Sequence, residues 1–101
     1  MLRLTLVSTN AIKYPSRLTQ REAQLIARGV DLIKSGDLRR VREALHFGRA
    51  RMAALLDISE YTLRSWELDK LVPNDPRRLM KIGEVVGKLQ DAIDEERAGT
   101  A

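Results

Sequence analysis

Glu60, Tyr61, Arg64 and Ser65 lie close together in the segment SEYTLRSWE, Ser59 to Glu67. They offer a carboxylate, a phenol, a guanidinium and a hydroxyl. Ile58, Leu63 and Trp66 recur at i, i+5 and i+8, so a helix through this segment turns those three inward and the polar four onto another face. A short helix with one apolar face and one face of mixed donors and acceptors suits a DNA major groove, where base edges present their own donors and acceptors. The competing chemistry is acid–base catalysis by Asp57, Glu60 and Glu67. No glycine-rich phosphate loop, metal cluster or nucleophile triad accompanies those carboxylates. The chain has no cysteine, so no disulfide, thiolate zinc site or cysteine nucleophile, and its one histidine, His46, makes a poor basis for a metal or catalytic site. The sequence reads as a non-enzyme that needs no cofactor and no metal.

The elements that must hold this face are legible on both sides of it. Ser59 is a good N-cap for a helix Glu60 to Glu67, since its hydroxyl can accept from a free N–H in the first turn. Asp57, Ile58 and Ser59 form a tight turn after a helix closed by Ala53, Ala54, Leu55 and Leu56. Upstream, Thr19-Gln20-Arg21-Glu22 is a capping box that starts a helix with Leu25, Ile26, Val30, Leu32 and Ile33 in its stripe. Gly36 is its expected stop. Asp37 is the expected cap of a second helix that buries Leu38, Val41, Ala44 and Leu45. Downstream, Asp75 caps a helix with Pro76 in its first turn, and Leu79, Ile82, Val86, Leu89 and Ile93 carry the pattern to about Glu96. Leu2 to Val7 alternates like a strand without a partner strand, so it is expected as an arm or as a pairing edge across a dimer.

The 101 residues, 44% hydrophobic and 4% aromatic, fit one helical domain with a modest core. The net charge of +4 suits approach to a polyanion, and it is uneven: residues 1–36 carry net +4, residues 37–73 net +1 and residues 74–101 net −1. No apolar run reaches the roughly 20 residues of a membrane span. The opening MLRLTLV is too short for a signal-peptide core. The expectation is a cytoplasmic protein in a bacterial or phage-infected cell. The expected organisation is an arm and added helix over 1–36, a DNA-binding unit with a long last helix over 37–97, and a disordered tail over 98–101.

Leu38 to Gly87 resembles the helix-turn-helix domain of the phage Cro and repressor family, the XRE type. The likeness lies in LRRVREALHFGRARMA, then LLDISEYTLRSWE, then the exit KLVP and the closing DPRRLMKIGEVVG. It spans about half the chain, without gaps, and its strength lies in the run of matched spacings. The resemblance implies an all-α, lambda-repressor-like fold of the five-helix type, with an extra N-terminal helix and the strand arm added. It implies that Ser59 to Glu67 is the recognition helix, with Glu60, Tyr61 and Ser65 as base readers. Thr62 and Arg64 stand where backbone or flanking-base contacts are usual. Gly48 and Arg49 match a cap and glutamine that hold a DNA phosphate; Arg49 puts a charged donor there, with Arg51, Lys70 and Asn74 as further phosphate candidates. Arg42 and Glu67 match a structural ion pair of the family. Asp69 and His46 stand where the family prefers glycine in a left-handed turn.

The function so implied is transcription regulation by a Cro-like repressor on double-stranded operator DNA, as a homodimer with recognition helices about 34 Å apart. Pairing would use the Leu2–Val7 strand or the Leu89–Ile93 helix surface. An acid at position 60 that reads a base should read cytosine, whose exocyclic amine is a donor. Two alternatives stand beside it. One is an antitoxin that binds its own operator and masks a toxin. The other is a phage excisionase or MerR-like factor, to which TLRSWELDKLVP is also similar; there a wing follows the recognition helix, and only Asn74 and Asp75 are available for one here.

Overall fold

The computed structural model describes residues 18–100, and every element in it is helical. In chain order they are α1 (Gln20–Ser35), α2 (Asp37–Ala44), α3 (Arg49–Leu56), α4 (Glu60–Arg64) and α5 (Pro76–Thr100). A π-helical turn, Ser65–Asp69, continues α4. The all-α class holds for the described residues. The Leu2–Val7 strand expected from alternation lies outside them.

α1 begins as its capping box requires: the Thr19 hydroxyl accepts from the Glu22 amide at 3.0 Å, and the Glu22 carboxylate accepts from the Thr19 amide at 2.9 Å. It ends at Gly36, whose φ of 86° places it in the left-handed region. Gly36 is also the residue before α2, so Asp37 is not a cap but the first helical residue. Its carboxylate instead accepts from Arg40 and, at 3.3 Å, from Gln90 Nε2 of α5. The acid that the sequence places at a helix start thereby ties α2 to α5.

α1 runs antiparallel along α5, with Leu25 beside Gly83 and Gly29 beside Leu79. At both glycines the partner's carbonyl oxygen occupies the space a Cβ would need, so the two backbones close to direct contact. One core then draws on every helix: Leu32 and Ile33 from α1, Leu38 and Val41 from α2, Met52, Ala53 and Leu56 from α3, Leu63 from α4, and Leu79, Ile82 and Val86 from α5, with Trp66 of the π turn. The boundary expected after residue 36 is therefore not a packing boundary. Leu32 and Ile33 are as buried as Leu63, and α1 is a wall of the same core.

α5 continues to Thr100, past both the Glu96 end and the tail expected from 98. After Pro76 it contains no proline, and Arg97 in its last turn complements the helix dipole. Leu89 and Ile93, expected as a pairing surface, pack partly buried against the core. No described helix is long and apolar enough to cross a membrane.

Candidate functional site

α3 starts at Arg49 after Gly48, which has extended backbone (φ −74°) and no side chain to satisfy the first-turn amides. It ends at Asp57, left-handed at φ 58°, whose N–H donates back to the Ala53 and Ala54 carbonyls. The Ile58 amide closes the turn on the Ala53 carbonyl at 3.0 Å. Ser59 then caps α4, its hydroxyl accepting from the Thr62 amide at 3.0 Å. Within a short turn of the α3 end, the chain is helical again in a new direction.

Leu63 is fully buried and Trp66 nearly so, so the inner face of this second helix is the one the apolar spacing predicts. The π turn Ser65–Asp69 keeps the backbone helical to Asp69, past the expected end at Glu67. Consequently Lys70, at φ 53°, takes the left-handed position assigned above to Asp69. His46 is left-handed, at φ 60°, as its position implies.

The structure brings Arg42 and Glu67 together in the core. Arg42 Nε donates to Glu67 Oε2 at 2.7 Å, and Arg42 Nη2 donates to Oε1 at 2.9 Å. Arg42 Nη1 satisfies the Phe47 carbonyl at 3.0 Å. A third charged group joins them: Arg49 Nε donates to Glu67 Oε1 at 3.0 Å. The Glu67 side chain is wholly buried, that of Arg42 is 10% exposed, and that of Arg49 is 31% exposed. Burial pushes the Glu67 carboxyl up, but hydrogen bonds and charge from Arg42, then Arg49, outweigh it and hold the group below its ordinary value. Arg42 is correspondingly pushed up, chiefly by its hydrogen bond to Glu67. One carboxylate between two guanidiniums leaves one positive charge, and it lies toward the surface.

That surface is an open groove lined by Arg49, Glu60, Tyr61 and Arg64. Four of the residues singled out in the sequence thus share one face, drawn from the start of α3 and the outer side of α4. Tyr61 is 78% exposed, a large aromatic left in solvent. The other candidates are placed differently. Ser65 is half-buried, and its hydroxyl donates to the Tyr61 carbonyl at 3.2 Å, leaving it only as an acceptor. Thr62 is half-buried, and its hydroxyl accepts from Ser59 Oγ at 2.9 Å. The Arg51 guanidinium stands over the Phe47 ring, 5.0 Å from its centroid, in a cation–π contact. Gly48, Lys70 and Asn74 lie outside the groove lining.

Two features escape the sequence reading. The Arg49–Glu67 contact joins residues far apart in sequence, and charge alone does not reveal which carboxylate takes a second arginine. Arg77, Arg78 and Lys81 in the first turns of α5 line a second concavity beside Leu56, Asp57 and Ile58. Their spacing on one helix is a readable sign of a basic cluster. Among the described residues, no group of three His, Cys, Asp or Glu is arranged to hold a metal ion.

Against known protein families, curated proteins and solved structures, the chain finds no match.

Proposed function

We propose that this chain is a sequence-specific regulator of transcription that binds double-stranded DNA in the manner of the Cro and repressor helix-turn-helix proteins. α3, the turn at Asp57–Ser59 and α4 form the DNA-binding pair, with α4 as recognition helix. The observation that carries this reading is the groove of Arg49, Glu60, Tyr61 and Arg64, set on a frame whose back is the buried core. Two guanidiniums supply sequence-independent attraction to phosphates. Glu60 accepts from cytosine, and Tyr61 packs on a sugar or a thymine methyl. The reading needs no catalysis: occupying an operator is sufficient for repression. A symmetric dimer places two such faces one helical turn apart.

Selection of bound sequences from a random duplex library tests the proposal. The expected result is an enriched motif, palindromic if two copies bind together. A library that emerges unenriched overturns the reading.

A further inference from the structure

The second arginine on Glu67 reaches past the role of a fold-locking ion pair. Arg49 uses only Nε to hold the carboxylate. Among the described residues its two terminal nitrogens have no hydrogen-bond partner, and its side chain lines the open groove beside Arg64. A guanidinium is planar, with its donors in a fixed fork. With the Nε edge pinned inward, the Nη1–Nη2 edge is aimed by geometry at the groove. A pair of oxygens on one tetrahedral anion matches that edge.

We propose that Glu67 is a positioning residue for the interface: held itself by Arg42, it orients Arg49 so that the Nη1–Nη2 fork receives two oxygens of a single DNA phosphate. The inference rests on the DNA-binding reading above and adds a specific device to it. The same carboxylate secures α2 to the end of the recognition helix and sets the angle of a phosphate contact at the start of α3. The position of the protein on the duplex backbone is thereby tied to the packing of its core. Because Arg49 is ordered before DNA arrives, less conformational freedom is lost when the contact forms.

Two substitutions at Arg49 leave the Arg42–Glu67 pair in place. Arg49→Met removes the charge; on a duplex carrying the selected site it should weaken binding about tenfold and lower the slope of log affinity against log salt by about one. Arg49→Lys keeps the charge but has no fork, so the slope should stay at the wild-type value while affinity still falls several-fold. Wild-type affinity in Arg49→Lys overturns the fork, and an unchanged slope in Arg49→Met overturns the contact. Glu67→Gln should weaken binding more in the wild-type background than beside Arg49→Met, where only its loss of the Arg42 pair remains to be felt. An equal loss in both backgrounds overturns positioning. The DNA-free protein supplies a separate arm: in NMR, the Arg49 Nε–H should exchange with water more slowly than those of Arg51 and Arg64. Equal exchange in all three removes the anchoring itself, whereas slow exchange in a protein that binds no duplex removes the DNA-binding reading and the phosphate contact with it.

Discussion

Arg42 and Glu67 meet through two parallel hydrogen bonds, 2.7 and 2.9 Å, with the carboxylate wholly buried. The pair fixes α2 to the π turn that ends the helix bearing Glu60, Tyr61 and Arg64. An ion pair in this position is not a large net source of stability, because both charges were better solvated in the unfolded chain. Its weight lies in geometry, since two parallel bonds leave the end of α4 one favourable place. Arg42 gives Nε and Nη2 to Glu67 and Nη1 to the Phe47 carbonyl, so the chain between α2 and α3 is held by the same side chain.

Removing one member is therefore costly. Arg42→Ala leaves Glu67 buried with Arg49 as its remaining arginine and frees the Phe47 carbonyl. The expected loss is about 3 kcal/mol, read as a fall in the urea midpoint with little change in slope. A loss below about 1 kcal/mol would place the pair in the class of surface salt bridges and contradict its burial.

Acid should act through the same carboxylate. Glu67 titrates below its ordinary value near 4.5 in the folded chain. A carboxyl depressed by folding contributes its stability in full above the unfolded value and loses it as pH falls through the folded one. Asp37 is also depressed: burial opposes ionisation there, but hydrogen bonds from Arg40, Gln90 and Ser35 prevail. Asp91, hydrogen-bonded to Arg28, shifts the same way. Stability should thus be flat near neutral pH and fall below about pH 4.5. In Glu67→Gln the whole curve should lie lower and descend less steeply in that window. An equal descent would show that Glu67 does not carry the acid sensitivity.

What is legible in the sequence follows from how local the signal is. The α1 capping box, the Ser59 and Asp75 caps and the Pro76 start each involve side chains within a few residues, and helices begin there. The inward face of Leu63 and Trp66 is readable for the same reason. The misreadings are all non-local or backbone-level. Asp37 has the residue type of a cap, yet Gly36 alone makes the corner between α1 and α2 and leaves Asp37 to bind Gln90 across the fold. Asp69 falls in the left-handed turn only if α4 ends as an ordinary α-helix, and the π turn moves that position to Lys70. α1 reads as an appendage because nothing in its own residues says that Gly29 and Gly83 are contact points. The candidate site is legible in its residue types, Glu60, Tyr61, Arg64 and Arg49, because one helix period places the first three. That Arg49 shares Glu67 with Arg42 depends on a distance no pattern encodes.

The α1–α5 contact gives a sharper test of that packing. Alanine is ordinarily favoured over glycine inside a helix by about 1 kcal/mol. At Gly29 and Gly83 a methyl would overlap the backbone carbonyl of Leu79 or Leu25, and backbone cannot swing aside. Overpacking should win, so each alanine variant should lose about 2 kcal/mol net in chemical denaturation. Gly87 is the contrast. The nearest atoms to a Cβ there belong to the Arg28 side chain, 3.0 Å away. Its end is held by Gln90 and Asp91 but, unlike a backbone carbonyl, can shift by a few tenths of an ångström. Gly87→Ala should shift stability by less than about 1 kcal/mol. If Gly29→Ala proved as harmless, the two helices would not be in backbone contact.

Tyr61 and Glu60 separate function from folding most cleanly, because both are exposed on the groove side of α4. Tyr61→Ala should change stability by no more than the small range of surface substitutions, about 0.5 kcal/mol, read from the thermal midpoint. Tyr61 is 78% exposed, so little of its surface is buried on folding. Its binding to the selected duplex should still weaken, the lost ring contact being made only with DNA. Glu60→Gln removes a charge that phosphates repel, so affinity for duplexes in general should rise. The amide also adds donors to an acceptor, and glutamine favours adenine where the carboxylate favours cytosine. The enriched motif should therefore change at one position per half-site, from cytosine toward adenine, while the remaining positions and the half-site spacing persist. Identical motifs from the wild-type and Glu60→Gln proteins would show that the acid serves only the start of α4, where the helix dipole favours it.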